Sequence, residues 1–240
     1  MFFNKYWFRK LYSDRFVAVI TYYAQSLEKK ILPAFANITD EADLVAQQAE
    51  ERMGQYFDPD RDDPAAYTEA AYDESVDFFI MADGIRGGIL NMFTAGLYHL
   101  FEQQLLKIHR QELLNAVESR PPVADSLLKI AEIKRRLLDR DIDIERFPSW
   151  QKLDELRLVA NTVKHADGVS CGQLKTRRPD LFVHPATDRS LGMDLSFHQV
   201  VQPLAGEDLF IQIDHFMEYA DAVKAFWDEF ATAVEALPSS

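Results

Sequence analysis

Cysteine is almost absent from this chain of 240 residues: Cys171 stands alone. That excludes an internal disulfide framework and suits a reducing cytoplasm. Glycine and proline are sparse, at nine and ten residues, too few for a low-complexity chain. Base falls well short of acid, with 26 Lys and Arg against 39 Asp and Glu and a formal charge of −13. This balance opposes nonspecific binding to nucleic acid or to an anionic membrane, so any nucleic-acid contact has to use a local basic patch. No apolar run approaches the roughly 20 residues that span a bilayer. The N-terminus MFFNKYWFRK is broken by charge and followed by no apolar h-region, so it does not read as a signal peptide. Metal signatures are missing too: the chain has no HExxH, no Cys-x-x-Cys and no Glu-x-x-His pair. Neither a metal nor another cofactor is expected.

Apolar residues make up 48% of the chain, enough for one domain with a sizeable core. Phe16, Ile20, Tyr23, Leu27 and Ile31 repeat at helical spacing, and Pro33 closes that helix. Thr39 and Asp40 open a second helix, which runs to about Phe57. The acidic connector DPDRDDPAA follows, and then a long helical region from Tyr67 to about Glu118, which Gly84, Gly87 and Gly88 are expected to kink or split. Its second half is apolar on more than one side and belongs at the centre of the core. Pro121 and Pro122 end it. Val123 to about Arg140 reads as a basic amphipathic helix carrying Lys129, Lys134, Arg135 and Arg136.

Ser149 is the expected N-cap of the next helix. Residues 166–190 read as a long Gly/Arg/Pro loop, and residues 194–213 alternate as a small β-hairpin. Asp214 is the expected cap of a final helix to about Leu237. The fold expected is mainly α: a single domain over 1–240, an antiparallel helical bundle with a small late hairpin. The aromatic N-terminus, with Phe2, Phe3, Tyr6, Trp7 and Phe8, is expected to pack on the bundle or in a dimer interface.

The stretch from Leu153 to Ser170, LDELRLVANTVKHADGVS, carries the chemistry. At 100° per residue, Leu153, Leu156, Ala160 and Val163 form the core face. Gln151, Glu155 and Thr162 point the opposite way, towards solvent. Asp154, Arg157, Asn161 and His165 make a polar stripe at the border, with Lys164 almost under Arg157. Metal-free phosphodiester cleavage needs a group near neutral pKa to move a proton and cations to hold the charge growing on phosphate. His165 suits the first task and the planar fork of Arg157 the second. Asn161 suits the orientation of His165 or of a phosphate. Lys164, Lys175, Arg177 and Arg178 are placed to hold an RNA backbone, a local basic island on an acidic protein.

The run ELRLVANTVKHADG on a late helix of a helical bundle resembles the HEPN superfamily, whose signature is Arg, four to six residues, then His, often with Asn after the Arg. In this chain seven residues separate Arg157 from His165, and Ala160 stands before Asn161 where the commonest form has Arg. The resemblance implies a cytoplasmic homodimer with juxtaposed motif helices. It further implies a metal-independent endoribonuclease of a toxin–antitoxin or phage-defence type, with RNA as substrate and an antitoxin or regulatory protein as partner. His165 would be the catalytic His, Asn161 the motif Asn and Arg157 the motif Arg.

The same residues have a plainer reading. Lys164 and His165 sit where a helix dipole favours cations, Asp154 and Arg157 are spaced to pair, and Gly168 suits a C-cap. A non-catalytic helical module that binds a protein or nucleic acid is the alternative function. Geometry separates the two: convergence of His165 and Arg157 on one open groove favours catalysis, whereas an Arg157 held by Asp154 removes its main support. His99 with Glu102 reads as satisfied polar groups of the bundle, His215 with Glu218 lacks the Glu-x-x-His order of a di-iron bundle, and the nearness of Cys171 to His165 in sequence does not make it a nucleophile.

Overall fold

Aromatic side chains from both ends of the chain meet in the core of this computed structural model, which describes residues 4–185 and 208–238. Helix α1 (Asp14–Ser26) is preceded by a π-turn at Arg9–Ser13 and followed by another at Leu27–Ile31. Its buried stripe is Phe8, Tyr12, Phe16, Ile20, Ala24 and Leu27. A spacing of four advances about 400° and would drift round a pure α-helix. The wider i→i+5 turns at each end offset that drift and keep the stripe facing inward. Phe8 stacks on Phe230 at 5.3 Å and Phe16 packs on Trp227 at 4.8 Å. Arg9 fastens the same end outside the core, bridging Asp228 and Glu235. The N-terminal aromatics thus pack on the bundle through Phe8, while Tyr6 and Trp7 stay exposed and Phe2 and Phe3 lie outside the described residues.

Helix α2 (Ile38–Gly54) packs on α3 (Pro64–Ile108), burying Ile38, Ala42 and Ala49. Asp63 caps α3 by accepting from the Ala65 N–H at 2.9 Å, with Pro64 in the first turn where its missing N–H costs nothing. The expected split at Gly84, Gly87 and Gly88 does not occur: α3 is one continuous helix of 45 residues, about 67 Å along its path. A glycine in a helix costs only about 1 kcal/mol. The packing of α2 along the first half, and of the core on the second, exceeds that. The first half buries Ala71, Ser75 and Ala82; the second buries Leu90, Leu97, Tyr98, Phe101, Leu105 and Ile108. Helix α2 and the first half of α3 form a two-helix arm, and a π-turn at His109–Leu113 closes α3.

The basic helix is shorter than its pattern predicts, α4 being Ile130–Leu138 after a 3₁₀ turn at Asp125–Leu128. Arg136 anchors it, bonding Glu118 at 2.7 Å, Glu132 at 2.6 Å and the Leu113 carbonyl at 3.2 Å. Helix α5 (Trp150–His165) lies between α3, α6 (Val169–Arg177) and α7 (Ile213–Glu235). Helix α7 supplies the other wall of the core with Phe216, Tyr219, Val223, Phe226, Trp227 and Phe230. Trp227 Nε1–H donates to Gln104 Oε1 at 2.7 Å, so this buried indole keeps its hydrogen bond.

Two loop expectations are corrected. Residues 166–190 are not one loop, because α6 and a 3₁₀ turn at Pro179–Phe182 form within it, driven by burial of Cys171, Leu174, Leu181 and Phe182. The hairpin expected over 194–213 is not supported. Residues 194–207 lie outside the described residues, 208–212 form no strand, and Ile213 begins α7. The alternation there has another cause: Leu209 and Ile211 plug the core. The Phe210 N–H donates to the Leu181 carbonyl at 2.7 Å, and the Leu209 carbonyl accepts from Asn91 at 2.9 Å. Caps differ too. Ser149 does hold the N-cap position of α5, but its hydroxyl donates to Glu229 at 2.6 Å and makes no cap hydrogen bond, and Gln212, not Asp214, is the N-cap of α7.

Candidate functional site

Helix α5 presents its expected core face: Leu153, Leu156, Ala160 and Val163 are buried. The opposite face departs from expectation. Gln151 is exposed, but Thr162 is buried and its hydroxyl donates to the Leu158 carbonyl at 2.9 Å. The Glu155 side chain is only 14% exposed. It accepts from Tyr219 Oη at 2.8 Å, Arg178 at 2.7 Å and Lys152 at 3.2 Å. Helix α5 is covered by α7 and α6 as well as by α3, so a single core arc underestimates its burial.

The polar stripe is built around carboxylates. Asp154 accepts from Arg157 Nε at 2.9 Å and Nη2 at 2.8 Å, and from Arg177 Nη1 at 2.7 Å. Burial pushes the Asp154 carboxyl up, and the Arg177 and Arg157 guanidiniums more than reverse this, holding it below the usual range. Glu155 behaves alike: burial raises it, while bonds from Tyr219 and Arg178 bring it down. The Tyr219 phenol is pushed far up by burial and by the Glu155 charge. Arg178 also forks onto Asp180 at 2.7 Å, and this pairing holds its proton more firmly than usual.

The remaining candidates lie apart. Asn161 Nδ2 donates to Ser170 Oγ at 3.3 Å, and Lys175 Nζ lies 3.4 Å from Asp167 and over the Phe182 ring. Lys164 is half-buried and His165 exposed at the end of α5. Their helix places His165 eight residues, about 12 Å, beyond Arg157. The turn after it puts positive φ on Ala166 (55°), while Gly168 starts α6 instead of capping α5.

The structure thus brings Arg157 and Arg177 together on Asp154, and leaves His165 outside that group. Sequence reasoning missed Glu155, Tyr219 and Asp180; the Lys152–Glu155 and Arg178–Asp180 spacings signal two of these contacts, and nothing local signals Tyr219. His215 joins the edge with Nδ1 accepting the Gln212 N–H at 3.2 Å; burial and Arg178 lower its pKa. Glu102 pairs with His99 at 3.8 Å. Cys171 is buried, which raises its thiol, and Sγ lies 3.6 Å from Asp167. Among the described residues no group of His, Cys, Asp and Glu is arranged to hold a metal, and no helix is long and apolar enough to cross a membrane. Comparison with family models, with curated proteins and with solved structures finds no match.

Proposed function

We propose that this chain is a non-catalytic helical module that binds another protein. The observation that carries the reading is the Asp154 carboxylate set between the Arg157 and Arg177 guanidiniums. A phosphate needs that same space and would meet an anion there. Arg178, another cation expected to hold an RNA backbone, is held by Glu155 and Asp180. A catalytic site keeps its charge-stabilising groups preorganised for the transition state, and here they serve the fold. The formal charge of −13 adds a general repulsion against nucleic acid.

The exposure of His165 favours a second reading: metal-independent RNA cleavage, with His165 moving the proton and a second copy supplying the cation that Arg157 does not.

The test incubates the full chain and a His165→Ala variant with mixed RNA in EDTA. The binding-module reading expects no cleavage above a protein-free blank from either. Cleavage by the parent that disappears in His165→Ala overturns it.

A further inference from the structure

The chain's acidity is concentrated in one place. Residues 38–86, covering α2 and the first half of α3, hold fourteen carboxylates and three arginines, a net −11 of the chain's −13. The same arm exposes large apolar side chains: Ile80 is 64% exposed, Met81 56%, Ile85 50% and, just beyond, Met92 47%. At 100° per residue, Met81, Ile85, Gly88 and Met92 fall within an arc of about 60°. That arc is centred about 90° round the helix from the buried Ala71, Ser75 and Ala82. Gly84 borders it, and a Cβ there would meet nothing within 4 Å, so a second helix can approach the backbone closely. Asp73 and Asp77 stand exposed at the arm end of the strip. From Asp73 to Met92 the strip runs about 28 Å, some five helical turns.

Building on the binding-module reading, we infer that this strip of α3 is the docking surface for a basic amphipathic helix of a partner protein. The apolar face of that helix would lie on Met81, Ile85 and Met92, with its Lys or Arg residues over Asp73 and Asp77. Contiguous exposed apolar side chains rimmed by polar ones mark interaction surfaces. A helix laid on an apolar strip is read by anchors three and four residues apart, and methionine adapts its shape to such anchors. Charge selects the occupant. A second copy would bring another arm of −11 against the first, and nucleic acid or an anionic membrane is repelled for the same reason.

The probe is a synthetic leucine–lysine helix of about 18 residues, five turns, with leucines on one face. Its leucine–glutamate counterpart is the control. Each is labelled and titrated with the full chain by fluorescence anisotropy. The lysine peptide should bind and the glutamate peptide should not. Met81→Ser with Ile85→Ser should weaken binding by about tenfold or more, a loss of about 1.4 kcal/mol. Asp73→Asn with Asp77→Asn should weaken it several-fold and flatten its salt dependence. Asp125→Asn with Asp141→Asn removes equal charge outside the arm and should change nothing. Circular dichroism confirms that each variant keeps its helix content.

The inference is overturned by absence of binding, or by indifference to the apolar substitutions. It is overturned equally by a full effect of the outside control, or by a dimer in sedimentation that Met81→Ser with Ile85→Ser dissolves. Absence of peptide binding with no RNA cleavage sinks this inference and leaves the binding-module reading standing. His165-dependent cleavage sinks that reading whatever the peptide does.

Discussion

Asp154 lies one helical turn before Arg157 and accepts from its Nη2 at 2.8 Å, while the second carboxylate oxygen takes Arg177 at 2.7 Å. One carboxylate thereby bridges two guanidiniums that α5 and α6 bring to the same edge, and the trio keeps a net charge of +1. Asp154→Asn removes the negative charge and leaves one acceptor oxygen for the two guanidiniums. Stability should fall by only about 1 kcal/mol, because Arg157 and Arg177 are partly exposed and screened. The larger effect should be on ligand choice: the variant should bind labelled RNA several-fold more tightly than the parent at low salt. RNA affinity equal to the parent's would show that Asp154 does not guard this edge.

Among the described residues six carboxylates, Glu118, Glu132, Asp154, Glu155, Asp180 and Glu235, are held below their usual range by neighbouring cations, and together they set the acid limit of the fold. Arg136 brings Glu118 down to about 2, and Arg135 with Arg136 does the same for Glu132. Asp154 and Glu155 are lowered despite burial, which opposes the shift. A carboxylate with a depressed folded pKa contributes stability above its unfolded value of about 4, and that contribution is lost as pH falls towards about 2. Urea titrations should therefore show the midpoint falling steadily between those limits. Arg136→Met should flatten the slope by releasing Glu118 and loosening Glu132, which Arg135 still holds. An unchanged slope in that variant would refute the assignment.

The helical class, the core face of α5 and the central place of the second half of α3 were legible because each rests on local periodicity, with Leu153, Leu156, Ala160 and Val163 as the clearest case. The misplaced features depend on what packs from afar. Glu155 reads as solvent-facing until Tyr219, 64 residues away, bonds to it. The alternation ending at Ile211 reads as a strand until Leu181 and Asn91 claim its backbone. Gly84, Gly87 and Gly88 read as breakers because the packing of α2 and of the core on α3 is invisible to a local pattern. At the candidate site the Asp154–Arg157 pair was legible from its spacing of three, but its sharing with Arg177 was not, since the intervening turn brings α6 back along α5.

Ala166 ends α5 with φ at 55° and ψ at −136°. A Cβ disfavours that region and glycine does not. Ala166→Gly should therefore raise stability by about 1 kcal/mol, the relief of one strained residue less the added unfolded-chain entropy. A thermal melt shifted upward by a few degrees is the expected result. A lower melting temperature would mean that the lost methyl contact matters more than the strain.

The pairing of Trp227 with Gln104 crosses the core between α7 and α3 at 2.7 Å. Gln104→Met keeps the volume and removes the acceptor, leaving a buried indole N–H unpaired. The expected cost is about 1–3 kcal/mol by urea unfolding, with Trp227 fluorescence shifting as its environment loses the bond. Trp227→Phe should cost less in the Gln104→Met background than in the parent, because the orphan donor goes with the ring nitrogen while the cavity cost is common to both. Additive losses in the double variant would refute the coupling.

His109 closes α3 in a fully buried position, and among the described residues neither ring nitrogen has a hydrogen-bond partner. Burial lowers its pKa, and Arg136 adds to the effect against the opposing pull of Glu132 and Glu118. A histidine with a depressed folded pKa is neutral in the fold and takes up a proton more readily when unfolded. Its contribution is complete above the unfolded value of about 6.5 and is lost as pH falls below that. His109→Leu removes both the unpaired nitrogens and the proton uptake. The variant should equal or exceed the parent at pH 7.5 and gain on it steadily from about pH 6.5 downward, read as the difference between urea midpoints. A parallel pH dependence in the two proteins would show that another group titrates there.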